Sequence, residues 1–113
     1  MDQNLVERWR SLAARYVEMY PGVEHGKMMS AEALTWRGKV FVFFSTKGGR
    51  IGLGCRLGRD FNVAALNLDD WQHLAPFKTK PPMKDWIVAG GANLNRWDEL
   101  TKTALELTQN RKA

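Results

Sequence analysis

Residues 39–45 read Lys-Val-Phe-Val-Phe-Phe-Ser, and this stretch decides the fold. The five side chains from Val40 to Phe44 are all β-branched or aromatic, which predicts a strand buried on both faces of a sheet. Residues 46–49, Thr-Lys-Gly-Gly, follow and tolerate the positive φ angles of a hairpin turn. Residues 50–57 then alternate between apolar and small or charged side chains, as a second strand does. The sequence therefore predicts a β-hairpin at the centre of a sheet.

The elements on either side of this hairpin are predicted from periodicity and from chain breaks. Apolar residues at three- and four-residue spacing predict an amphipathic helix over 3–20, which Pro21-Gly22 ends. Residues 25–36 are compatible with one bulged strand or with two short pieces, and Arg37-Gly38 is a turn candidate. Downstream, the patterns predict a short helix over 60–71, a proline-rich loop over 73–83, a strand over 84–89, and a last helix over 94–110 capped by Asn93 or Asn95.

This order of elements, α-β-β-β-α-β-α, predicts an α+β fold with the N- and C-terminal helices packed on one face of a mostly antiparallel sheet. The 113 residues match the size of one domain, so we expect a single compact domain over 1–113. Five tryptophans and five phenylalanines supply a core. Cys55 is the only cysteine, which excludes an intramolecular disulfide.

The sequence contains the pattern of neither a signal peptide nor a membrane-spanning segment, and we expect no membrane partner. The N-terminal sequence MDQNLVERWR lacks the basic start and the apolar run of a signal peptide. The longest apolar run, Val40 to Phe44, is far shorter than the ~18 residues that cross a bilayer. We therefore expect a cytoplasmic protein.

The positive charge of the chain is unevenly distributed. The net charge is +5, and residues 33–59 hold six basic residues, six of the ten glycines and no Asp or Glu. A basic, glycine-punctuated hairpin region can present a positive surface to a polyanion. The first hypothesis is a non-enzymatic module that binds DNA or another polyanion through Arg37, Lys47, Arg50, Arg56 and Lys84.

Two other hypotheses come from different features. Gly52 and Gly54 could leave open backbone beside Arg56, which would form a small-anion-binding or catalytic pocket; alternatively, they let a helix or loop approach the sheet closely. Their spacing does not match the dinucleotide-binding pattern, and no βαβ unit surrounds them. An exposed edge strand and the many aromatic residues motivate a protein-interaction domain or a homodimer instead.

The remaining reactive residue types do not specify a reaction. Cys55 lies on the apolar face of its predicted strand, which indicates a buried, inert thiol. His25 and His73 lie too far from each other and from Cys55 in sequence to match a paired metal-ligand spacing. Adjacent acidic residues on a helix point in different directions, which does not favour a general acid–base pair at Asp98-Glu99.

A basic, proline-stiffened segment precedes the last predicted strand. Lys78, Lys80 and Lys84 flank Pro81-Pro82, and Trp86 follows. These residues could grip phosphates and stack a base. The alternative is that Trp86 belongs to the core and that the lysines are solvated.

Four strings of residues carry a resemblance to a known family. They are Gly26-Lys27-Met28-Met29, Gly38-Lys39-Val40-Phe41, the string Pro-Met-Lys-Asp-Trp-Ile-Val over 82–88, and a C-terminal helix that opens with Trp97. Together they resemble the TfoX N-terminal-like domains, which are similar to the MmcQ/YjbR-like group, over roughly residues 20–109.

The resemblance implies a small, cytoplasmic, bacterial α+β domain with no established enzymatic activity and no cofactor. It also implies a link to DNA, because members of the MmcQ/YjbR-like group have been suggested to bind it. The positions shared with the family have no role that can be transferred, and they are Lys27, Lys39, Met83, Lys84 and Trp86.

Overall fold

The computed structural model describes residues 3–28, 30–46, 51–75 and 82–110. Within these ranges the chain forms two α-helices and six β-strands. In chain order they are α1 (Gln3–Met19), β1 (Val23–Met28), β2 (Ala31–Trp36), β3 (Lys39–Ser45), β4 (Gly52–Arg56), β5 (Trp71–Leu74), β6 (Met83–Gly90) and α2 (Trp97–Asn110).

The six strands form one sheet in the order β1-β2-β3-β4-β6-β5, and each neighbouring pair is antiparallel. Both helices pack on the same face of this sheet, and we call the core between the helices and the sheet the helix-side core. The predicted α+β fold is therefore confirmed. Residues 25–36 take the second of the two predicted forms, as parts of two separate strands.

A bulge in β3 sets which of its side chains face the helices. Leu34 pairs with Val42 and Thr35 pairs with Val40, so Phe41 is an extra residue with no partner on β2. A bulge of this kind puts two successive side chains on one side of a strand. Phe41 and Val42 are both fully buried in the helix-side core, while Phe43 lies on the opposite face.

Phe44 of β3 contacts both helices in the helix-side core. Its ring stacks with Trp9 of α1 at a centroid distance of 6.0 Å and meets Trp97 of α2 edge-on at 6.3 Å. The Tyr16 hydroxyl donates a hydrogen bond of 3.1 Å to the carbonyl of Asp98, which links the two helices directly. Aromatic pairs of this geometry add about 1 kcal/mol each beyond the area they bury.

The face of the sheet away from the helices carries a smaller apolar cluster of Ala33, Phe43, Leu74, Trp86 and Val88. The Phe43 ring lies directly over Gly54, where a β-carbon would overlap three of its ring atoms. Trp86 meets the same ring edge-on at 5.5 Å. Gly54 is therefore the position that lets an aromatic side chain cross the neighbouring strand.

Two predicted helices differ from the structure. The helix predicted over 60–71 is reduced to one 3-10 turn, Val63–Leu66, which Asn67 ends with a φ of 53°. The chain then enters β5, whose backbone pairs with β6. Hydrogen bonding to the sheet edge outweighs the weak helical spacing of this segment, and β5 also takes the first residues of the predicted loop over 73–83.

The last α-helix starts later than predicted. A 3-10 segment, Gly91–Arg96, precedes Trp97. The side chain of Asn93 is buried; its Oδ1 accepts the Asp69 N–H at 3.1 Å and its Nδ2 donates to the Asp70 carbonyl at 2.8 Å. Asn93 thus connects the residues just before β5 to the segment between β6 and α2 by hydrogen bonds.

The contact between Phe43 and Gly54 leads to a stability prediction. We expect Gly54→Ala to lower the free energy of unfolding by about 1–3 kcal/mol, because the new methyl group must displace the Phe43 ring. In a Phe43→Leu background, which lacks Cε1 and Cζ and can rotate its remaining methyl groups away, the same change should cost less than about 1 kcal/mol. Urea unfolding of the four proteins measures both costs. Equal costs of Gly54→Ala in the two backgrounds would contradict this packing.

Candidate nucleic-acid interface

Basic residues gather at one end of the four central strands. Trp36 pairs with Lys39 where β2 turns into β3, and Arg56 pairs with Trp86 at the same end of β4 and β6. We call segments 37–39, 56–60 and 83–85 the basic end. Its charged residues are five cations, Arg37, Lys39, Arg56, Arg59 and Lys84, and two carboxylates, Asp60 and Asp85.

Three of the five cations predicted from the sequence as nucleic-acid contacts lie at the basic end. Arg37, Arg56 and Lys84 belong to the basic end. Lys47 and Arg50 lie outside the described residues, and their neighbours Thr46 and Ile51 lie at the opposite end of the sheet, beyond the pair of Ser45 with Gly52. Two cations outside the predicted set also belong to the basic end. Lys39 is the first residue of β3, and Arg59 lies in the turn after β4.

The cations of the basic end are mostly unpaired. Arg59 lies 3.6 Å from the Asp85 carboxylate in an exposed ion pair, which is worth less than about 1 kcal/mol. Lys39, Arg56 and Lys84 make no ion pair with any residue in the described ranges. No carboxylate of the described residues neutralises their positive charge, which can therefore attract an anionic partner.

Half of the four cations on α1 and α2, together with Arg96 just before α2, are in ion pairs. Ion pairs join Arg10 to Glu32, Arg15 to Asp98 and Arg96 to Glu99. An open groove of about 430 Å³ beside α1 shows the same balance, because it is lined by Glu7 and Asp98 as well as by Arg8 and Arg15. This part of the surface does not favour a polyanion.

The turn between β2 and β3 holds Arg37 against an aromatic ring. The predicted Arg37-Gly38 turn is present, with φ angles of 50° and 84°. The Arg37 guanidinium carbon lies 4.6 Å from the centroid of the Trp36 ring, which is within cation–π distance. Sequence reasoning missed this pair, although an aromatic residue directly before an arginine at a turn is a signal for it.

The motif residues of the family resemblance lie in three places. Lys39, Met83 and Lys84 belong to the basic end, while Lys27 is exposed on β1 at the far edge of the sheet. Trp86 is 6% exposed and packs against Phe43. Of the two interpretations of Trp86, the core position is therefore the one found. Lys78 and Lys80 lie outside the described residues.

The backbone at Gly52 and Gly54 is not open. The Phe43 ring covers Gly54, and a β-carbon on Gly52 would lie 2.6 Å from the Ala89 carbonyl oxygen. Close approach by neighbouring groups explains both glycines, and the approaching groups are a side chain and a strand rather than a helix. The space that an anion would need beside Arg56 at these two positions is occupied.

The thiol and the two histidines are kept apart. Cys55 is fully buried in β4, and burial raises the pKa of its thiol well above the ordinary value. His25 on β1 and His73 on β5 lie at opposite edges of the sheet, five strand spacings or about 24 Å apart. Across 3–28, 30–46, 51–75 and 82–110, no group of three or more His, Cys, Asp or Glu residues could hold a metal ion.

Comparison with known proteins returned no matching family, no matching curated protein and no matching solved structure. A separate observation concerns membranes. None of the helices in the described part of the chain is long and apolar enough to span one.

The burial of Cys55 predicts how stability depends on pH. Because the folded state keeps the thiol protonated, the unfolded state alone releases a proton once the pH exceeds about 8.5. The free energy of unfolding should therefore fall as the pH rises from 8.5 towards 10. Burial, followed by the charge of Asp98, also raises the pKa of Tyr16 and extends the fall above pH 10. Urea unfolding across this pH range measures both parts.

Cys55→Ala is the control for this prediction. It should remove the fall between pH 8.5 and 10 and leave the later fall that Tyr16 causes. The native wild-type thiol should also resist an aromatic disulfide reagent at pH 8 that labels it in urea. Rapid labelling of the native protein would show that the thiol is accessible.

Proposed function

We propose that this domain is a non-enzymatic, cytoplasmic bacterial module, related to the TfoX N-terminal-like domains, that binds nucleic acid through its basic end. One observation carries the proposal. Five cations against two carboxylates lie at one end of the central strands, and four of the five have no ion-pair partner among the described residues: Arg37, Lys39, Arg56 and Lys84. Uncompensated charge of this kind attracts phosphates.

The dimensions of the basic end suit a run of phosphates. β2 and β6 are three strand spacings apart, which is about 14 Å. The positive charge therefore extends far enough to contact more than one phosphate of a nucleic-acid strand. Contacts with phosphates release counterions, and binding should therefore weaken steeply as salt is added.

The elements at the basic end favour binding without sequence specificity. Turns and strand ends form this surface, and both helices lie on a face of the sheet, where two of their four cations, Arg10 and Arg15, are in ion pairs. Reading bases in a major groove requires an element such as a helix that presents side chains to base edges. Phosphate contacts position a protein but carry no sequence information.

The family resemblance supports the same proposal. Its most specific string, residues 82–88, contributes Lys84 to the basic end and Trp86 to the cluster beneath it. The α+β architecture agrees with the fold that the resemblance implies. The location in the cytoplasm and the bacterial origin are part of this proposal and depend on the resemblance.

The two other hypotheses have less support. A small-anion pocket needs open backbone at Gly54, where the Phe43 ring lies. A dimer formed by strand pairing needs an inviting sheet edge, but β1 exposes Glu24, His25 and Lys27, and β5 has only four residues and an irregular register. Charged, short or bulged edges discourage pairing with another chain.

Charge reversal tests the proposal. We expect Arg56→Glu with Lys84→Glu to lower the affinity for a labelled oligonucleotide by at least about tenfold at low salt. The slope of log affinity against log salt should become shallower by at least about 1.4, because at least two phosphate contacts are lost. Fluorescence anisotropy over a salt series measures both quantities.

The matched control places the same change of charge elsewhere. Lys102 is exposed on α2, and Lys102→Glu combined with Arg8→Glu on α1 alters the net charge by the same amount. If this control weakened binding as much as the variant of the basic end, general charge and not this site would account for binding.

A further inference from the structure

We propose that the basic end prefers single-stranded over double-stranded nucleic acid, and that Arg37, held over Trp36, is the surface on which an unpaired base stacks. This inference rests on the proposed function and adds the class of nucleic acid to it. Three observations carry it: the cation–π pair, its rigid attachment to β1, and the unusual backbone of Arg37.

The pair presents a flat cation at the surface. The guanidinium carbon of Arg37 lies 4.6 Å from the centroid of the Trp36 ring, and Arg37 is exposed while Trp36 is half-buried against the helix-side core. The guanidinium thus lies over the indole, and the residue remains open to solvent. Unpaired bases stack on arginine planes as well as on aromatic rings.

Contacts with the start of β1 hold the pair in place. The Arg37 N–H donates a hydrogen bond of 3.0 Å to the Gly22 carbonyl, and Trp36 pairs with Val23 in the sheet. A β-carbon on Gly22 would lie 3.1 Å from Trp36 Nε1, so the indole edge already packs on this glycine. A surface that is ordered before binding loses little conformational freedom when a ligand stacks on it.

The backbone of Arg37 gives independent support. Its φ of 50° lies in the left-handed region, and Gly38 follows with a φ of 84°. Turns with two positive φ angles favour Asn, Asp and Gly, so an arginine here is uncommon. An unfavourable residue at a turn that would accept better ones indicates that the side chain serves a purpose other than stability.

Stacking on Arg37 requires a base with a free face. Inside a duplex each base already stacks on its neighbours, whereas bases of a single strand are available to protein side chains. Lys39 follows two residues later and pairs with Trp36, so it lies on the same face of the sheet and can contact the phosphate of the stacked nucleotide. Arg56 lies two strands from β2 and pairs with Trp86 on the opposite face, where it can contact a further phosphate of the same strand. The arrangement therefore combines one stacking surface with phosphate contacts around the end of the sheet.

Arg37→Lys separates stacking from charge, because lysine keeps the positive charge and lacks the planar group. We expect the affinity of this variant for a labelled single strand of about 12 thymidines to fall at least about fivefold, the loss that one stacked base predicts. Its affinity for a duplex of the same length should change less than about twofold. Arg37→Asn, which suits the turn but removes the charge, should weaken binding to both.

Circular dichroism and thermal unfolding of each variant verify that the domain still folds. Equal effects of Arg37→Lys on single strand and duplex, or no effect on either, would overturn the inference, as would tighter binding of the duplex by the wild type. Arg56→Glu with Lys84→Glu identifies the other kind of failure. If that variant binds as the wild type does, the proposed function is wrong, whatever Arg37→Lys shows.

Discussion

Burial of β3 on both faces is the constraint on which the rest of the structure depends. The bulge at Phe41 turns two successive side chains towards the helices, and the Phe44 ring packs between Trp9 and Trp97. Phe43 points the other way and closes the opposite face over Gly54. One strand therefore determines that both helices lie on one side and that the other side has a small core of its own.

This constraint also limits where the molecule can bind a ligand. With side chains packed on both faces of the central strands, the backbone is accessible to a large partner mainly at the strand ends. Four of the five cations at the basic end lie in turns or at strand ends, where long charged side chains stay in water without an ion-pair partner. The packing of the sheet and the position of its positive surface thus have a common origin.

Local signals in the sequence predicted the elements that local physics determines. The apolar run of β3, the spacing of α1 and the glycine after Arg37 each specify a conformation within a few residues. The gathering of Lys39, Arg56 and Lys84 depends on strand register, which a linear sequence does not display. The same holds for β5, whose pairing with β6 outweighs its local pattern, and for Gly54, whose role is clear only once Phe43 lies across it.

The central claim is that nucleic acid contacts the ends of the central strands and not the helices. The most direct test is an NMR titration of the ¹⁵N-labelled domain with a short single-stranded oligonucleotide. We expect backbone amide shifts to change in segments 37–39, 56–60 and 83–85 and to remain steady along the exposed face of α2. Changes concentrated on α1 and α2, with the basic end unaffected, would contradict the claim.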